Sequence, residues 1–181
     1  DLAAGQQQLV RLVRIGAAAP AAQQAYRVVV DELPRLDPEA RGMQFVTISD
    51  HNAIDGAREI AHLPGAFLSC EVTTYFPGDD CKIHCLVSGI NERQFETIQM
   101  VRENIYDFRQ YLAEEDIVHS LAHPLYRVND RLTVEHFEKL ILLFNRFEGV
   151  NGTRDRRACE LVNAILRQLT PEMLEDFADR H

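Results

Sequence analysis

The stretch MQFVTISDHN, residues 43–52, decides the fold. From Met43 to Ser49 it is apolar and β-branched, with little polar alternation, which is how a strand buried on both faces reads. It then delivers an acid and an imidazole, Asp50 and His51, before turning at Asn52. The same arrangement recurs down the chain. Glu71 follows AFLSC in the run AFLSCEVTTYF, His84 lies inside KIHCLVSG, and His123 closes on SLAHP. Apolar strands that repeatedly end in metal-type ligands suggest a barrel whose strand ends converge on one metal site.

Working outward, strand and helix signals alternate from Gly42 onward. Asn52 or Asp55 is positioned to cap a short helix through about Ala61. Pro77-Gly78-Asp79-Asp80 is a turn between the second and third strands. A long amphipathic helix is expected from Asn91 to about Glu115, with the apolar stripe Phe95, Ile98, Val101, Ile105, Phe108 and Leu112. IVHSLAHP is a fourth strand ended by Pro124, Thr133 caps the helix VEHFEKLILL, and FNRFEGVNG reads as a fifth strand. The chain ends in a helix over Arg156–Gln168 and another starting at Thr170-Pro171. Repeated units of this kind favour an α/β fold with parallel pairing. Residues 1–41 differ: they are rich in Ala and Gln, and LVRLVRIG has near-helical apolar spacing. They read as a helical lead-in of low information, with residues 42–181 as the metal-binding domain.

At 181 residues and 46% hydrophobic composition the chain suits one domain with a real core. Formal net charge is -9, from 28 acidic and 19 basic residues. That balance argues against nucleic-acid binding driven by phosphate neutralisation, yet leaves room for a small phosphorylated substrate held by a metal. Cys70, Cys81, Cys85 and Cys159 sit in or beside apolar runs, as buried thiols of a reducing, cytoplasmic compartment do. No apolar stretch approaches the about 20 residues of a membrane span. The N-terminus lacks a secretory signal and an initiator Met, so the chain is expected to be trimmed or incomplete.

Zinc, manganese and iron sites combine imidazole nitrogen with carboxylate oxygen. His51, Glu71, His84 and His123 supply those atoms, and Glu71 is the natural bridging carboxylate between two ions. Asp50, Glu148 and His119 are candidates to orient ligands from behind, and Glu148 can equally pair with Arg146. A lone strand-end His is commonly a hydrogen-bonded structural residue, which is the competing reading of His84 and His119. Glu71 has the stronger case, because a carboxylate in an apolar strand needs a partner. His62, His136 and His181 read as solvated. A structural zinc on Cys70, Cys81, His84 and Cys85 is disfavoured, since neighbouring strand side chains point to opposite faces.

FVTISDHNAIDGA, CEVTTYF, KIHCLVSGI and LAHPLYRVNDRLT together resemble the PHP (polymerase and histidinol phosphatase) superfamily. RGMQFVTISDHNAIDG, EVTTYFPGDDCKIHCLV and LTVEHFEKLILLFNRFEGVNG resemble a bacterial branch labelled glycosyltransferase-associated PHP proteins. The resemblance implies a distorted (β/α)7 TIM-like barrel with two or three divalent ions, zinc, manganese or iron, at the strand C-terminal ends. His51 then matches a ligand, Glu71 the bridging carboxylate, His84 the His on the next strand and His123 the His-Pro ligand. The implied activity is phosphatase-type hydrolysis of a phosphate ester by metal-bound hydroxide, with Glu71 and Asp50 in the catalytic centre. Arg127 and Arg131 are candidate phosphate contacts, or solvated loop residues. The chain departs from the pattern at both ends: no His precedes His51, and the chain stops at His181, before the family's downstream Asp-x-His ligand pair is expected. The alternative from another class is therefore a non-catalytic scaffold or regulatory domain with an incomplete metal site. No nucleotide-sugar motif supports a glycosyltransferase.

Overall fold

A computed structural model describes residues 45–149 and 156–181, and the backbone of Arg11–Val13. The fold is α/β. Strand β1 is Arg11–Val13, and β2 is Val46–Ile48. They pair in parallel, Arg11 opposite Val46 and Val13 opposite Ile48. Near-helical spacing around residue 11 pointed to a helix, but three residues are too few for periodicity to separate the two, and pairing to a buried strand settles the conformation. The rest of the expected helical lead-in lies outside the described residues.

Two compact units share the chain. The first contains residues 1–71 and 88–91. Here β2 leads into helix α1, Asp55–Glu59, and then to the start of β3, Ser69–Tyr75. Buried hydroxyls hold β2 to β3: Thr47 Oγ1 donates to the Phe67 carbonyl at 2.6 Å and lies 2.8 Å from Ser69 Oγ. Ser69 Oγ donates in turn to the Ile48 carbonyl. In an apolar setting each such hydroxyl would otherwise carry an uncompensated desolvation cost, so the set pins the relative height of the two strands.

The second unit contains residues 72–87 and 92–181. It takes the remainder of β3, then β4 (Lys82–Ser88), α2 (Glu92–Val101), α3 (Ile105–Glu114), β5 (Val118–Leu121), α4 (Val134–Leu143), α5 (Arg156–Gln168) and α6 (Pro171–Arg180). The strands lie in the order β3-β4-β5. The single helix expected over 91–115 is two helices. Asn104 leaves helical geometry and its side chain accepts from the Tyr106 backbone N–H, starting α3. The apolar stripe continues through the break, so Ile98 and Ile105 are both fully buried. Thr133 and Thr170 cap α4 and α6 as expected. Phe137, Ile141 and Phe177 form a buried cluster, packed by Leu125, Phe147, Ile165, Leu166 and Leu169, that joins these helices.

The expected fifth strand appears among the described residues as one parallel bridge, Leu121 with Phe147. The described strands form a two-stranded and a three-stranded sheet.

Candidate functional site

In the first unit the end of β2 builds an acid–imidazole pair. After Ile48 the chain turns through Asn52, whose φ of 53° is left-handed, a conformation that Asn tolerates better than most residues. Glu71 N–H donates to the Asp50 carbonyl at 2.8 Å, and Asn52 N–H donates to the Glu71 carbonyl at 3.0 Å. These two bonds bracket His51 against Glu71 as a parallel bridge. His51 Nδ1 consequently sits 3.9 Å from Glu71 Oε1. Glu71 is 2% exposed, whereas His51 is only half-buried. Asp50 is fully buried beside them. The neighbouring Cys70 thiol is pushed up to about 12, first by burial and further by the charges of Asp50 and Glu71. In the absence of metal it is thus a neutral packing group.

In the second unit β4 and the end of β5 build an imidazole–imidazole pair. Ala122 N–H donates to the His84 carbonyl at 2.9 Å, which sets the two segments side by side. His84 Nδ1 then lies 3.2 Å from His123 Nε2, with both residues buried. Two imidazole nitrogens bound at about 2.0–2.1 Å to one tetrahedral ion stand roughly 3.3 Å apart, so this spacing fits a shared divalent ion. The Tyr126 ring packs edge-on to His123, 5.3 Å between centroids. Glu148 Oε2 accepts from the His123 backbone N–H at 2.8 Å, so it braces His123.

The other candidates fall elsewhere. His119 Nδ1 lies 2.7 Å from the Ile117 carbonyl and its ring packs on Phe144. Burial holds its pKa below the ordinary imidazole value, with Arg109 and Arg146 adding to the effect. Arg127 donates to the Asp130 carbonyl, and Arg131 donates to the Asp79 carbonyl and approaches Asp80 at 3.8 Å. Both guanidiniums therefore tie loops together here. His136 is not solvated: its Nε2 pairs with Asp79 at 3.0 Å, its ring meets Phe76, and its Nδ1 completes the cap with Thr133. Nor is His181, which pairs with Glu138 at 2.9 Å. His62 is exposed. The four cysteines are free thiols.

No protein-family model and no curated protein matches the chain. Among solved structures it resembles a Bifidobacterium adolescentis protein proposed to be a metal-dependent phosphoesterase. The TM-score is 0.48 at 15% identity, over 88% of this chain and 82% of that one. At that score the likeness carries no function across. Among the described residues, no helix is long and apolar enough to cross a membrane.

Proposed function

We propose that the chain is a metal-dependent phosphoesterase of PHP type, with His51, Glu71, His84 and His123 as ligands for divalent metal. The single observation that carries this reading is the 3.2 Å approach of two buried imidazole nitrogens, His84 Nδ1 and His123 Nε2. The donor types support it, since imidazole nitrogen and carboxylate oxygen are the atoms that borderline divalent ions take. The sequence resemblance supports the finer points: a (β/α)7-type barrel, the glycosyltransferase-associated branch, and a small phosphate ester as substrate. A divalent ion held there would supply Lewis acidity and would bring the pKa of a water bound to it to about 7. The protein's part is to present deprotonated ligands. His51, His84 and His123 offer imidazole nitrogens, and Glu71, buried in an apolar strand, gains from a cationic partner what burial costs it. Asp50 and Glu148 orient the groups around them.

The test uses the whole chain loaded with zinc or manganese. Metal content is measured, followed by turnover of p-nitrophenyl phosphate by wild type and Glu71→Gln. We expect bound metal in the wild type and turnover reduced at least about 100-fold in the variant, as loss of a charged ligand should produce. Equal turnover in both removes Glu71 from the chemistry. Metal bound without any phosphatase activity favours the non-catalytic scaffold.

A further inference from the structure

We propose that Glu148 is the positioning residue that forces His123 to face His84. His123 has φ of 32°, in the left-handed region that a side chain bearing Cβ rarely adopts. Such a backbone is strained and persists only where surroundings over-determine it. Three bonds do that here. The His123 backbone N–H donates to Glu148 Oε2 at 2.8 Å, the preceding Ala122 N–H donates to the His84 carbonyl at 2.9 Å, and Tyr126 N–H donates to the His123 carbonyl at 2.8 Å. The last two are backbone bonds that any sequence can make. The first is supplied by a side chain, and a carboxylate oxygen makes it charge-assisted, hence roughly twice as strong as a neutral bond.

Glu148 is itself fixed. Its N–H donates to the Leu121 carbonyl at 2.8 Å, and Leu121 N–H donates to the Arg146 carbonyl at 2.9 Å, which is the ladder joining 146–148 to β5. Residues 121–123 are therefore gripped twice, by the backbone at Leu121 and by the carboxylate at His123. Releasing the carboxylate allows His123 to relax toward negative φ, which swings its imidazole away from His84 Nδ1. Glu148 acts here through the backbone turn.

The consequence for metal rests on the phosphoesterase reading, and the consequence for the turn does not, so two measurements separate them. The first is hydrogen exchange of the His123 amide, by NMR on the metal-free full chain. Exchange should accelerate at least about 10-fold in Glu148→Ala and stay within about threefold of wild type in Glu148→Gln, which keeps an acceptor oxygen and should fold normally. The second is zinc affinity by chelator competition, with zinc alone as probe. Loss of a group that orients a ligand costs about 10–100-fold in affinity, expected for Glu148→Ala and largely rescued in Glu148→Gln. Unchanged His123 exchange in Glu148→Ala overturns the proposal, and so does a Gln variant as impaired as Ala. A wild type that binds no zinc sinks the metal reading, while the exchange data still decide the role of Glu148.

Discussion

Single side chains here are held by what surrounds them more than by their own type. His119 is the clearest case. It is 6% exposed, and burial lowers its pKa below the usual imidazole range, with Arg109 and Arg146 acting in the same direction against the bond to Ile117. In the unfolded chain it takes up a proton at an ordinary pKa, and in the fold only at lower pH. The unfolded state thus binds more protons as pH drops below about 6.5, and stability must fall there. Stability should therefore rise with pH across the interval between the two pKa values and level off above about 7. Urea midpoints measured from about pH 5 to 8 should show this slope in wild type and a flatter one in His119→Phe. Parallel profiles in the two proteins would show that His119 keeps its solution pKa. The candidate ligands drew notice at this same scale, because His51, Glu71 and His123 stand at or near the ends of apolar runs and His84 interrupts one. The partners of His136 and His181 were not. Asp79 and Glu138 are far from them in sequence, and a histidine on a helix carries no local mark of its ion pair.

Elements show where local signals win and where they are ambiguous. Thr133 and Thr170 stand immediately before apolar helical runs, and a capping hydroxyl has no competing use there. Asn104 is equally able to cap, but the apolar stripe runs unbroken past it, so periodicity hid the joint between α2 and α3. The segment after β5 carries a further constraint that only packing reveals. Asn163 of α5 donates through Nδ2 to both the Gly149 and Cys159 carbonyls, at 2.7 and 2.8 Å. A Cβ on Gly149 would come within 2.9 Å of Asn163 Oδ1. Gly149→Ala must therefore displace the Asn163 amide and break the bond it makes to residue 149. We expect a loss of about 1–2 kcal/mol in denaturant unfolding, from one partly buried bond and local strain. The neighbouring Glu148 should shift with it, so the His123 amide should lose protection as well. Adding Asn163→Ala should relieve the clash, making the double variant no worse than Asn163→Ala alone. A Gly149→Ala protein as stable as wild type would show that Asn163 moves aside at no cost.

For the whole molecule, the acidic excess and the buried ligands bear on one quantity, the free energy that a cation contributes. Much of the α/β character followed from the sequence, because strand runs and helix caps are local. Closure of a barrel is a long-range property that no run of residues encodes by itself, and β1 shows how little three residues reveal. Cation binding is open to a direct thermodynamic test. His84, His123 and Glu71 are buried, so a cation that reaches them is attracted in a setting of low dielectric. An ion that binds the folded state alone adds RT ln(1 + [L]/Kd), about 2.7 kcal/mol at a hundred times Kd. For a domain of this size that corresponds to a rise in Tm of roughly 5–10 °C. Zinc or manganese titrated into chelator-treated protein should raise Tm in step with the logarithm of free metal, and EDTA should reverse it. His84→Ala and His123→Ala should each lose most of the response, and the double variant should lose little more, since the two imidazoles act on one ion. Full additivity of the two losses would mean separate sites, and an unshifted Tm in wild type at millimolar metal would leave the 3.2 Å pair as a structural N–H···N hydrogen bond.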